Sequence, residues 1–597
     1  MKKRFLCIAL FVVLTLSILG KMQVPVHSQT LSQTLILGMV TPPPTTFAQT
    51  ATNWGGAITI TQIPYLYAYT FGINGQAVPV LTNLPEPVPG SNTTQWIINL
   101  RSSDMKWSDG YPINSTDLAY SYGIFLGDGP YANMSLDNWG AVTGFVKSVS
   151  IINSTAIMIT AFGPYPLWPV RTWLYAIYPW HYYKQFTGDN VVQQTSIVAG
   201  PGDTAYVPVN YDPTSKSMRL VANPSSPSWN GATPTLNNIT IQFFTDESAL
   251  VNALIAGTVN AAQISISDVS ALQAEPNLNI EKMDSAWQMF YTVWPSGYPW
   301  SNTDFRKALM YLVNKQQIDS VLYSSTLPLG NSMLILPQAM STYWPGPGAA
   351  TYDFSTVEAV NHLRAAGLTQ NSNGNWVTSN GTVVAVTVEA SNSDPDLVRA
   401  AQFIANSTES VGLKVNLKIV DLATATNDLY NPYPFNTILY IDEFFPSPYR
   451  WMYSLMTTWP WTNSTFYDDL FRSLNDTDPV RSLADMKQTE LILADAAILN
   501  SVVVLPQYVA YDNKFTNWVP ALDQAPSYDV FSSPIITENV MASVTPAGLV
   551  SSSTTMSASS TSGNASMPFD MTSIVAVVLV VLVVIAAVAA LRFRKRK

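Results

Sequence analysis

The chain has 597 residues, of which 47% are hydrophobic and only 11% charged, against about 25% charged in ordinary soluble domains. That length is too great for one small domain and enough for two or three lobes with cores of their own. The formal charge of −10 becomes −19 once nine basic residues at the two ends (Lys2, Lys3, Arg4, Lys21, Arg592, Arg594, Lys595, Arg596, Lys597) are set aside. So acidic a body repels phosphates, which excludes nucleic acid as a partner.

In chain order, Met1–Ser28 reads as a secretory signal: a basic start, an apolar run from Phe5 to Leu19, and small residues before Gln29. The single cysteine, Cys7, lies inside it, so the body beyond has no disulfide to rely on. Thr34–Val40 and Val146–Ile159 read as strands, the latter with a hairpin around Ser150–Ser154. Glu247–Ala256 places Leu250, Ala253 and Leu254 on one helical face and stops at Gly257. Phe305–Asn314 groups Leu309, Leu312 and Val313 after a start at Asn302–Asp304. Val357, Val360 and Leu363 share a face closed by Gly367, and Leu397, Ala401 and Ile404 begin a helix that ends at Gly412. Leu413, Val415, Leu417 and Ile419 then alternate with polar residues, as a half-buried strand does. Helices alternating with strands predict α/β lobes.

At the far end, Ser551–Ser562 is almost entirely Ser and Thr and predicts a solvated stalk. Ile574–Leu591 is unbroken and apolar, long enough for a bilayer core of ~30 Å. The basic Arg592–Lys597 predicts a cytoplasmic tail, hence a single-pass membrane protein with its body extracellular. Asn-X-Ser/Thr sequons stand at Asn92, Asn114, Asn133, Asn153, Asn238, Asn380, Asn406, Asn463, Asn475 and Asn564, consistent with a glycosylated surface.

Met105–Tyr122 (MKWSDGYPINSTDLAYSY) combines a Trp-Ser-Asp-Gly turn, a proline and a helix that Asn114 can cap, with Asp117 at its third position. Leu220–Trp229, Asp246–Gly257, Asn302–Val313, Tyr352–Leu368 and Arg399–Asp421 follow at family-like separations. Together these stretches resemble the family 5 solute-binding proteins, the oligopeptide/dipeptide class serving ABC importers, in its archaeal membrane-anchored form. The resemblance implies a two-lobe α/β fold of the periplasmic-binding-protein type (class II) with an extra subdomain. The implied divisions are residues 29–53, 182–284 and 506–546 for lobe I, 54–181 for the subdomain and 285–505 for lobe II. Residues 547–570 then form the stalk, 571–591 the transmembrane helix and 592–597 the tail. It further implies a peptide or oligosaccharide held between the lobes, with a membrane permease and cytoplasmic ATPases as partners. No cofactor or metal is implied.

In peptide binders of this family a lobe II aspartate pairs with the peptide amino group. The matching segment here is Thr437–Arg450; alignment on Pro446 places Asp442 at that position, and alignment on Pro448 places Phe444 there. Trp287, Tyr291, Trp294, Tyr449, Trp451 and Trp459 fall where the family puts cleft walls. For catalysis there is no Gly-X-Ser-X-Gly elbow, phosphate loop or zinc spacing, and no catalytic residue is named. The acid pairs Asp442-Glu443 and Asp468-Asp469 leave a two-carboxylate glycosidase as a minor alternative, and a structural envelope-lattice glycoprotein as another.

Overall fold

The computed structural model describes residues 34–40, 63–71, 77–123, 146–166, 176–185, 200–227, 233–283, 287–332, 342–349, 351–392, 394–430, 437–443, 461–519 and 538–547. The strands are β1 (Leu35–Val40), β2 (Glu86–Pro87), β3 (Gln95–Asn99), β4 (Val146–Asn153), β5 (Ala156–Ala161), β6 (Tyr206–Asp212), β7 (Ser217–Ala222) and β8 (Asn238–Phe244). They continue as β9 (Ala261–Ile264), β10 (Leu278–Met283), β11 (Trp287–Val293), β12 (Ala385–Ser391), β13 (Lys414–Val420), β14 (Thr437–Glu443), β15 (Leu499–Val504) and β16 (Gln507–Asp512). The main helices are α1 (Ser115–Gly123), α2 (Glu247–Ile255), α3 (Ile266–Gln273), α4 (Thr303–Tyr311), α5 (Lys315–Leu322), α6 (Thr356–Ala365), α7 (Pro395–Ser410), α8 (Leu422–Tyr430), α9 (Ser464–Asn475) and α10 (Pro479–Asp495).

Two sheets carry the architecture, both within residues 1–547. The first has seven strands in the order β10–β16–β9–β1–β8–β7–β6, and β1 runs parallel to both β8 and β9. The second has five in the order β13–β12–β14–β11–β15, and β12 runs parallel to β13 and β14. Apolar clusters cover both faces of the second sheet: Met289, Tyr291 and Val293 join one, Phe290 and Trp294 the other. Such double coverage is why its strands are apolar on alternate and intervening positions alike.

The chain passes between the two sheets twice, in opposite directions. β10 leads into β11, and β15 returns through Leu505 and Pro506 into β16. Met283 faces Gln507 in the first sheet and Gln288 faces Val504 in the second. Between them, the Leu505 N–H donates to the Trp287 carbonyl at 2.9 Å. Pro506 has no N–H to add to the ladder, so the crossing is narrow.

A third sheet, β2–β3–β5–β4, is antiparallel and has its own core. Much of the aromatic content is spent here, with Tyr65, Tyr67, Tyr69, Tyr120, Tyr122, Tyr165, Tyr178 and Tyr183 all buried. The Trp-Ser-Asp-Gly stretch is its keystone. Trp107 is fully buried and donates its Nε1–H to Asp117 Oδ2 at 3.3 Å. Asp117 also accepts from the Asn114 N–H (2.9 Å) and the Trp180 N–H (2.8 Å), while Asn114 Oδ1 accepts from Thr116 (2.8 Å). Burial raises the Asp117 carboxyl, and the three donors pull it back. The capping expected of Asn114 and Asp117 is therefore present, and the motif is architectural.

Other expectations shift at their edges. The hairpin after Val146 turns at Ser154–Thr155, later than read, because β4 runs to Asn153. The helix read to Asn314 ends at Tyr311, and Asn314 instead caps α5 by accepting from the Gln317 N–H at 3.0 Å. At Gly412 the stop after α7 is strict: its φ is +89° and a Cβ would lie 2.4 Å from the Gly374 carbonyl oxygen. In β13 the alternation is kept through Leu417, but Ile419 is exposed at the edge of the sheet. Among the described residues no helix is long and apolar enough to cross a membrane. Met1–Ser28, Ser551–Ser562 and Ile574–Leu591 lie outside the described residues.

Lys418 turns toward a buried acid pair. Its Nζ donates to Glu389 (2.8 Å) on β12 and to Asp428 (2.9 Å) on α8. Burial pushes the fully covered Glu389 up despite this partner. Replacing Lys418 with Met leaves two neighbouring carboxylates without a cation, and should cost roughly 2–4 kcal/mol at pH 7, less than for a fully buried pair because Lys418 is partly wet. Chemical denaturation measures it. The deficit should narrow as pH falls toward 4, because a raised carboxyl takes up a proton on folding and is stabilised by acid.

Lys315 is the second test. It is buried on α5, donates to the Gly330 carbonyl at 2.9 Å, and its amine is pushed down to about 7 by desolvation. The unfolded chain then binds one more proton than the folded one between pH 7 and the ordinary lysine value of 10.5, so stability should climb across that window. Denaturation of Lys315→Met over the same range should show the climb reduced; an identical profile would remove Lys315 as its source.

Candidate functional site

Parallel strands end where chemistry can be placed, because helix starts and loops gather at their carboxyl ends. In the first sheet β8 ends at Phe244 and gives way to α2, and β9 ends at Ile264 and gives way to α3. In the second, β12 ends at Ser391 and gives way to α7. These three helix starts meet around one cavity of about 690 Å³, within the range of about 300–1,000 Å³ typical of small-molecule sites.

The first sheet supplies Glu247, Gln263, Ser265, Asp268 and Gln507 to this cavity, and the second supplies Trp287, Tyr323, Asp394, Asp396, Arg399 and Ile441. Leu505 and Pro506 complete the lining, so the crossing between the sheets is itself part of the wall.

Each carboxylate is fixed by its helix start. Asp246 caps α2 by accepting from the Ala249 N–H at 2.8 Å, which sets Glu247 in the first turn. Glu247 Oε1 accepts from the Ser265 N–H at 2.8 Å, and Ser265 Oγ donates to Asp268 at 2.9 Å. Asp394 caps α7 by accepting from the Asp396 N–H at 2.7 Å, with Pro395 at the first helical position. Asp396 is paired with Arg399 and also receives the Tyr323 hydroxyl.

The cavity thus carries four carboxylates against one guanidinium, a formal charge of −3 among the described residues. Glu247 is raised first by burial and then by the charges of Asp268 and Asp394, partly offset by the Ser265 N–H. Asp394 is raised by burial and by Asp396, against the helix N–H groups it accepts and Arg399. The geometry is an acidic gap that would welcome a cation, with one indole and one phenol for flat contact.

Of the residues expected at the cleft wall, Trp287 lines the cavity. Tyr291 and Trp294 do not: Tyr291 is fully buried in one core of the second sheet and Trp294 is buried in the other. The reason is position along β11, whose first residue borders the gap while later ones lie under helices on both faces. Asp442 lies on β14 opposite Gln288, one residue past the cavity-lining Ile441. Phe444, Tyr449, Trp451 and Trp459 lie outside the described residues, as do Asn133 and Asn564. Asn92, Asn153, Asn380, Asn406 and Asn475 are exposed, Asn114, Asn238 and Asn463 partly so, and none of them lines the cavity.

The acidic residues Glu247, Asp268, Asp394 and Asp396 were not singled out by sequence reasoning. A usable signal existed in Asp394-Pro395-Asp396, a helix start directly after an apolar strand.

Residues 86–463, more than half of the chain, match the family described as bacterial extracellular solute-binding proteins, family 5 middle. A Brucella ovis protein named as a peptide-binding protein of an ABC transporter is 21% identical over 250 residues. That stretch is 41% of this chain and 46% of the relative, so the chain spans about half the length of the curated relatives it matches. Among solved structures, the oligopeptide-binding protein AppA of Bacillus subtilis, in complex with a nonapeptide, superimposes with a TM-score of 0.69 at 14% identity, covering 86% of this chain and 99% of its own. NikZ of Campylobacter jejuni, in complex with Ni(L-His), gives 0.67 at 16% identity over 86% and 99%. The two sheets, their double crossing and the gap between them are thus the α/β two-lobe fold of periplasmic binding proteins, and the chain belongs to the family 5 extracellular solute-binding proteins.

Proposed function

We propose that this protein is the solute-capturing component of an ABC importer, that it works outside the membrane, and that its solute is a peptide bearing at least one positive charge. The observation that carries this reading is the cavity between the lobes, walled by helix starts from both and holding, among the described residues, four carboxylates against one guanidinium. A solute there contacts both lobes at once, and such contacts favour a closed form over an open one. Peptide ligands are named for the Brucella relatives and for AppA, which supports the peptide class. A neutral oligosaccharide would leave the wall carboxylates without a counter-charge.

Delivery needs a permease and cytoplasmic ATPases, which are the partners of this reading. Tethering by Ile574–Leu591 is supported by that run's length and the basic residues after it.

Ligand-induced thermal stabilisation tests the reading directly. Cationic peptides at a hundred times their Kd should stabilise the protein by about 2.7 kcal/mol, and neutral oligosaccharides should not. A broad peptide panel that leaves the melting curve in place would sink the proposal. Calorimetry then separates the charge: Glu247→Gln should weaken a cationic peptide roughly ten- to a hundredfold and change a neutral one little.

A further inference from the structure

We propose that the cleft is charge-gated: Glu247 and Asp268 on one lobe and Asp394 on the other oppose closure of the empty protein near neutral pH, and protonation or an entering cationic group releases it. This rests on the binding reading of the same cavity and adds a regulation to it.

Each of the opposing carboxylates is held by a hydrogen bond at its helix start. Glu247 is held by the Ser265 N–H, Asp268 by the Ser265 hydroxyl, and Asp394 by the first N–H groups of α7. Asp396 differs, because Arg399 and the Tyr323 hydroxyl answer its charge within its own lobe. Arg399 is the sole base lining the cavity among the described residues; it pairs with Asp396 and its charge also reaches Asp394, while no described residue of the first lobe lines the cavity with a base. What faces across the gap is therefore acid against acid.

Moving the lobes together strips water from these groups and shortens their separation, and both effects favour the protonated form. Glu247 already responds this way, held above the usual carboxylate range by burial, then by Asp268 and by Asp394 from the other lobe. A carboxyl whose proton is bound more tightly in the closed form makes closing a proton-uptake step. The closed population should then grow as pH falls through the raised carboxyl range and shrink as pH rises back through it. Glu247 and Asp394 can each contribute roughly a tenfold change in the closed-to-open ratio if closure moves the pKa by about one. A cationic group supplies the same neutralisation at constant pH.

The test is single-molecule energy transfer on the full chain without added solute. Dyes are placed at Asn277→Cys on one lobe and Ser410→Cys on the other, both exposed positions, with Cys7→Ser removing the native thiol. From pH 8 to pH 4 the closed fraction should rise by tenfold or more. In the Glu247→Gln/Asp394→Asn variant it should already be high at pH 8 and stay flat. Raising salt from 20 mM to 0.5 M at pH 8 should move the unsubstituted protein in the same direction, which checks the idea without relying on the variant's folding. A closed fraction in the parent chain indifferent to both pH and salt would overturn the proposal, as would a folded variant with the parent's pH profile. If peptides bind but closure ignores pH, only the gate fails; if closure follows pH but no peptide binds, the transport reading fails and the gate stands.

Discussion

Everything the cleft can do depends on the narrow crossing where the Leu505 N–H meets the Trp287 carbonyl. The chain crosses between the sheets twice there, in opposite directions, and Pro506 has no N–H to add to the ladder. Hinge closure is absorbed by a few residues at the ends of elements, and this crossing is where such residues lie. Because the lobes have separate cores, closure need not disturb either one.

The acids of the cavity follow from the same plan. Helix starts gather at the carboxyl ends of parallel strands, and Asp is favoured at an N-cap. Asp394 and the Asp246–Glu247 pair are thus local necessities of α7 and α2 that the topology then turns toward one another. Asp396 shows how the lobe limits this: Arg399 and the Tyr323 hydroxyl answer its charge inside the lobe, while Asp394 is answered more weakly by Arg399 and lines the cavity beside it.

The fold was largely legible in the sequence where periodicity was strong. Leu250 and Leu254, the stops at Gly257, Gly367 and Gly412, and the Asn302 and Asn114 caps all lie where local chemistry puts them. The candidate site was less legible. Trp287, Tyr291 and Trp294 are alike as residues, and what separates a wall from a core is whether helices cover that stretch of strand, which no local pattern encodes. Glu247 and Asp394 are 147 positions apart and become neighbours only through the crossing. Lys418 repeats the point, since in its alternating strand it reads as a solvated face yet turns toward Glu389.

Trp287 and Leu505 are both wall and axle. A side chain altered there to reshape the bottom of the cavity would also change the stiffness against which the lobes swing, so selectivity and opening rate would drift together. The helix-start acids carry a second duty of another kind, since Asp394 holds the start of α7 and Glu247 the Ser265 N–H while both line the cavity. A lineage exploring new solutes would find both kinds of wall position tied to a second task, the crossing to motion and the acids to the helices they begin.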